Sequence, residues 1–134
     1  MQDDLIIKTT NLTKSYGPHV ALSKLNLSVP KGATGLLGPN GAGKSTFLKT
    51  ILGLIQTTEG EGTVLGLDIR TKGDEIRSRI GYMPEYDSLN PEMEAIHQVR
   101  YSGELLGMNP TIALARAHET LQYVGLGDQR YRNI

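Results

Sequence analysis

The nine residues GPNGAGKST, Gly38 to Thr46, constrain this chain more than any other stretch. A backbone that curls its N–H groups inward around an anion has no room for a Cβ where the anion approaches. Gly38, Gly41 and Gly43 clear that space. The preceding run, ATGLLG, reads as a short buried strand leading into the loop. The following run, KSTFLKTILGLI, carries Phe47, Leu48, Ile51, Leu52 and Ile55 at helical spacing. A helix that starts near Lys44 aims the positive end of its dipole, and its free N–H groups, into the loop.

The spacing Gly38-x-x-x-x-Gly43-Lys44-Ser45 is the P-loop pattern, which in the context strand–loop–helix predicts a nucleotide-phosphate site. Pro39, Asn40 and Ala42 complete the cradle between the glycines. Lys44 is expected to bridge the β- and γ-phosphates, Ser45 to offer its hydroxyl to Mg²⁺, and Thr46 to bond the α-phosphate.

The bulk properties set outer limits. The length, 134 residues, suits one ordinary domain. Fourteen basic and fourteen acidic residues balance to a formal charge of zero, which argues against a basic nucleic-acid surface, and no nucleic-acid partner is expected. With no cysteine there is neither a disulfide framework nor a thiolate metal site. The longest apolar stretch, Ile51 to Ile55, is interrupted by Gly53 and falls far short of a membrane span. The opening, MQDDLIIKTT, is acidic and lacks the apolar core of a secretory signal.

Along the chain, DLIIKTTNL reads as a first strand, Gly17-Pro18 as a turn, and LNLSVP as a half-buried strand alternating Leu25, Leu27 and Val29. TVLGLDI reads as a strand pair bending at Gly66, GDEIRSRI as a short helix and IGYMP as a short strand. From Pro91 onward the pattern turns helical. Met93, Ile96, Val99, Gly103 and Leu106 form one stripe. Asn109-Pro110 is a helix start, Leu114, Ala117, His118, Leu121 and Val124 form a second apolar face, and Gly125 is a stop. His97 and His118 read as ordinary helix residues with no metal-ligand cluster around them.

A GTPase or P-loop kinase is the competing reading. It would take Asp68, in VLGLD, as a Mg²⁺ ligand and TKGD, residues 71 to 74, as a guanine selector. Gly66 breaks the strand that would have to hold Asp68, TKGD follows the loop too soon for the intervening βα units, and no Asp-x-x-Gly switch is present. The reading is rejected on those grounds.

The longer stretch LTKSYG…ALSKLNLSVPKGATGLLGPNGAGKSTFLKTILGL, with GTVLGLDI and IGYMPE after it, resembles the ATP-binding subunit of ABC transporters, most specifically from Leu12 to Glu85. The resemblance implies an α/β P-loop NTPase fold: a RecA-like core, here incomplete, with an N-terminal antiparallel β-subdomain and the start of a helical subdomain. On this reading residues 1–89 hold the β-subdomain and P-loop core, and residues 90–134 the first part of the helical subdomain. It implies ATP and Mg²⁺ as cofactors, Tyr16 stacked on the adenine ring, and Val20 as an added apolar wall. At Glu85, after GYMP, the family usually carries a glutamine that contacts Mg²⁺ and the attacking water. Glutamate still offers an oxygen to the metal but loses the N–H donors. GYMPE resembles exporter-like members.

The implied partners are a transmembrane permease subunit and a second ATP-binding subunit packed head to tail. The implied location is the cytoplasm, peripheral on the inner face of the cell membrane. ATPases of the same type that serve in translation or DNA repair, and a non-hydrolysing regulatory module, are the alternatives in function. The family's signature loop, its Asp-Glu strand end and its switch histidine are not among the 134 residues. The chain is therefore expected to be an N-terminal fragment that binds nucleotide without turning it over, and either to self-associate through the unpaired edge of the glycine-loop strand or to be marginally stable.

Overall fold

The β-rich opening of the chain folds as one long hairpin. Strands β1 (Leu5–Tyr16) and β2 (His19–Pro30) pair antiparallel, and the two residues Gly17-Pro18 turn between Tyr16 and His19. β3 (Glu59–Val64) pairs with the other edge of β1, and β4 (Leu67–Asp68) with β3, so the sheet order is β2-β1-β3-β4, antiparallel throughout. The bend expected at Gly66 is the β3–β4 turn: Leu65 and Gly66 both have positive φ, the pairing that matches a two-residue turn to strand twist. This is a computed structural model, and it describes residues 5–84 and 89–134. The chain divides into two compact units, residues 1–81 and 82–134.

In the first unit α1 (Lys44–Ile51) lays Phe47 and Ile51 against Leu12, Leu22 and Val64 of the sheet, and Ile69 and Ile76 complete the core. Ile76 comes from the short helix α2 (Gly73–Arg77). In the second unit α3 (Ala95–Leu105) and α4 (Pro110–Tyr123) pack through Ile96, Ala117 and Leu121, flanked by Val99 and Leu114. Asn109 caps α4 by accepting the Thr111 N–H at 3.0 Å, with Pro110 at the first helical position. The N-terminus of α3 is satisfied by the chain's own backbone: Ala95 and Ile96 N–H donate to the carbonyls of Arg132 and Arg130. Gly103, in the α3 interior, lies where a Cβ would press on Ala113 and Met108, so the close helix contact explains a residue that otherwise weakens a helix.

Two strand expectations fail. Residues 33–39, ATGLLG with its neighbour, and residues 80–84 are irregular. Apolarity alone does not make a strand; each N–H and C=O needs a ladder partner. No described strand pairs with residues 33–39, and Leu37 is 95% exposed. The two helical stripes also stop short of where periodicity carries them. Leu106 and Val124 are C-caps, each followed by a left-handed glycine, and both side chains are exposed.

Replacing Leu12, which is fully buried, by alanine should destabilise the protein by about 2–5 kcal/mol. Leu106→Ala, at an exposed cap, should stay within about 0.5 kcal/mol. Urea unfolding of both variants checks the contrast.

Candidate functional site

The glycine loop is closed locally by a bond from the Ala42 N–H to the Pro39 carbonyl at 3.2 Å, with Asn40 and Gly41 between them. Gly41 takes φ +83° there, a conformation that side chains resist. Gly43, at φ +86°, is the N-cap of α1, and its carbonyl accepts the Phe47 N–H at 2.8 Å to begin the helix. No side chain caps this N-terminus and no acidic residue lies in its first turn. The partial positive charge and unbonded N–H groups of the helix end are therefore left for an anion.

Lys44 spans the loop. Its ammonium donates to the carbonyl of Gly38 at 2.6 Å and to that of Pro39 at 2.8 Å. An ammonium has three N–H donors, so one remains for a further acceptor. Ser45 is exposed at the helix start. Thr46 is half-buried, and its carbonyl accepts the Thr50 hydroxyl at 2.7 Å. Gly38, Pro39, Asn40, Gly41 and Ala42 are all exposed, so the rim of the cradle is accessible.

The three glycines differ in what they do. A Cβ at Gly41 would meet nothing within 4 Å, and one at Gly38 would touch only the Ala42 side chain at 3.3 Å. A Cβ at Gly43 would lie 2.3 Å from the Ala21 carbonyl oxygen and 3.0 Å from Leu22 Cδ2. Gly43 is thus the point where the loop rests on β2. This contact ties the loop to the turn end of the β1–β2 hairpin. Val20, next to Ala21, is 52% exposed and pairs with Ser15; Tyr16 is 48% exposed and pairs with His19. The sequence carries no mark of the Ala21 contact, because it is a backbone atom that Gly43 avoids. Glu85 lies outside the described residues.

Asp68 and the TKGD segment have local duties. Asp68 Oδ1 accepts the N–H groups of Arg70, at 2.7 Å, and of Thr71, holding a turn. Asp74 lies in the first turn of α2 and pairs with Arg77.

Comparison with known proteins decides the family. The sequence pattern of the family described as ABC transporter matches residues 22–134. The chain belongs to that family. It is 40% identical over 109 residues to the Nod factor export ATP-binding protein I of Sinorhizobium fredii, covering 81% of this chain and 32% of that protein. It is 35% identical over 125 residues to the linearmycin resistance ATP-binding protein of Bacillus subtilis, covering 92% of this chain and 40% of that one. The solved structure of cbiO1 from Clostridium perfringens, part of the ABC transporter complex cbiONQ, superimposes with a TM-score of 0.79 at 22% identity, over 97% of this chain and 54% of that chain. The fold is therefore the P-loop NTPase fold of ABC ATPase domains, and the chain spans less than half the length of the curated relatives it matches. No helix among the described residues is long and apolar enough to cross a membrane.

The different surroundings of the loop glycines give a test. Gly41→Ala should lose only the cost of a left-handed alanine, about 1–2 kcal/mol. Gly43→Ala adds a collision with the Ala21 carbonyl and should cost more than Gly41→Ala. Thermal unfolding of the two variants, side by side, measures the difference.

Proposed function

We propose that Gly38 to Thr46 hold the phosphates of ATP and that the chain forms the nucleotide-contacting part of an ATP-binding subunit of an exporter-like ABC transporter. The observation that carries this reading is Lys44 strung across the loop, with an anion-favouring helix end directly behind it. The residues present fit a polyphosphate. The loop rim at Gly38 and Gly41 is open, its first helical turn carries no competing carboxylate, and its lysine keeps a donor free.

In this mechanism each residue has a distinct task. The loop N–H groups and the α1 N-terminus bind phosphate oxygens without reorganising, which is the form of electrostatic stabilisation phosphoryl transfer depends on. Lys44 neutralises charge at the β- and γ-phosphates. Thr46 bonds the α-phosphate. Ser45, with Glu85, would hold Mg²⁺, which when bound offsets charge on the β- and γ-phosphates. Tyr16 stacks on the adenine and Val20 lies beside it. A stacked ring reads a π face rather than a donor pattern, so preference among bases is expected to be weak.

Hydrolysis of ATP and its coupling to transport are proposed for the assembled transporter. Its parts would be a membrane-spanning permease subunit and a second, head-to-tail ATP-binding subunit, with this subunit on the cytoplasmic face of the membrane. Relatives named for Nod factor export and linearmycin resistance support export as the direction.

Titration calorimetry with ATP tests the reading. Lys44→Ala should cost about 1.5–3 kcal/mol of binding, the range for a hydrogen bond to a charged group. Unchanged affinity would refute the assignment of the loop. Tyr16→Ala should cost about 1–3 kcal/mol, and Tyr16→Phe should be nearly neutral. A phenylalanine variant as weak as the alanine one would replace stacking with a role for the hydroxyl.

A further inference from the structure

We infer that Lys14 is a positioning residue for the base: its ammonium occupies one face of the Tyr16 ring, so that adenine is received on the opposite face. The inference rests on the nucleotide reading proposed above.

Lys14 and Tyr16 are two residues apart on β1 and so can project to the same side of the strand. The Lys14 ammonium lies 4.9 Å from the Tyr16 ring centroid, inside the range of a cation–π contact. Among the described residues no carboxylate forms an ion pair with Lys14, so the ring is its observed partner. The backbone beneath the pair is held from both sides. On one side Lys14 pairs with Leu22 and Tyr16 with His19. On the other, Thr58 Oγ1 accepts the Ser15 N–H at 3.0 Å, and the Thr58 N–H donates to the Thr13 carbonyl at 2.8 Å. With the lysine in place the tyrosine is still about half exposed, which leaves surface for a base.

The contact has two chemical consequences. It holds the ring in one orientation, so less freedom is lost when a base stacks on it. It also draws the ring's π electrons toward the ammonium. Two electron-rich faces stack poorly face to face because both carry negative charge. A tyrosine polarised from behind presents a less negative face to a purine.

The alternative is that Lys14 reaches past the ring to the phosphates as a simple counter-charge. The two differ in what they require of the ligand. A positioning role needs the base and needs Tyr16; a counter-charge role needs neither.

The experiment is calorimetry on the 134-residue chain with two probes, ATP and inorganic tripolyphosphate. Lys14→Met keeps the apolar stem and removes the charge, and should weaken ATP about two- to fivefold while leaving tripolyphosphate unchanged. Lys14→Arg, which can also lie over the ring, should bind ATP like the parent chain. In a Tyr16→Ala background, Lys14→Met should have no further effect. The proton NMR signals of the Lys14 side-chain methylenes should be shifted upfield by the ring in the free chain and stay so with ATP bound. Return of those signals to ordinary lysine positions on adding ATP would mean that the base displaces the lysine, and would overturn the inference. So would an equal loss for tripolyphosphate, or an undiminished loss in the Tyr16→Ala background. Lys44-dependent binding of both probes by the parent chain upholds the glycine-loop reading whatever Lys14 does, whereas failure of the parent chain to bind either probe defeats both.

Discussion

The approach of Gly43 to the Ala21 carbonyl is the contact on which the candidate site depends. It fixes the start of α1, because Gly43 is both the residue that touches β2 and the N-cap of the helix. It also fixes the distance between the loop and the hairpin turn, since Ala21 sits one residue past Val20 on a strand paired to β1. A side chain at position 43 would have to push the loop from the sheet, and the helix and hairpin would separate with it. The requirement is doubly strict, because the backbone at this residue is left-handed as well as crowded.

The helix that leaves this contact has its dipole complemented at one end only. Its N-terminus has no capping side chain and no carboxylate, while its C-terminus is closed twice over. Gly53 takes the left-handed position and the Leu54 N–H bonds back to the Lys49 carbonyl, which satisfies orphan carbonyls. Arg77 donates to the Leu52 carbonyl at 2.9 Å and brings a cation to the negative end. Space for that arrangement comes from Gly53 and Gly73: a Cβ on Gly53 would lie 2.8 Å from the Gly73 Cα. At the far end the carbonyls of Leu48, Lys49, Thr50 and Leu52 are paired within the fold, while the N–H groups of the first turn are left at the loop. That asymmetry favours an anion at the loop.

The second unit uses the same devices without the same purpose. α3 and α4 end as α1 does, with a glycine at positive φ and a bond from the following residue back into the last turn, Met108 to Gly103 and Leu126 to Leu121. Its core is small, centred on Ile96, Ala117 and Leu121. Several large apolar side chains, including Leu105, Leu106 and Ile112, stay exposed around the α3–α4 turn.

Much of this protein follows from sequence alone, and for a consistent reason: where a feature is set by neighbours in the chain, its residues announce it. The P-loop spacing, the Gly17-Pro18 turn, the bend at Gly66, the Asn109-Pro110 cap and the Gly125 stop are all local chemistry, and all were legible. Tyr16 and Glu85 carry no local chemistry that marks them; only the resemblance to a family does. Lys14 lay two residues from Tyr16, a spacing that puts both on one side of a strand, but only the fold puts its ammonium over the ring. Features that depend on residues distant in sequence were decided by tertiary structure. ATGLLG looked like a strand because it is apolar, yet a strand exists only with a partner to bond, and none of the described strands pairs with it. Leu106 and Val124 looked buried because they continue a helical stripe, yet each falls where the backbone leaves the helix. Gly43 looked like one of three equivalent loop glycines; only the folded chain brings the Ala21 carbonyl, 22 residues earlier, to within 2.3 Å of where its Cβ would stand.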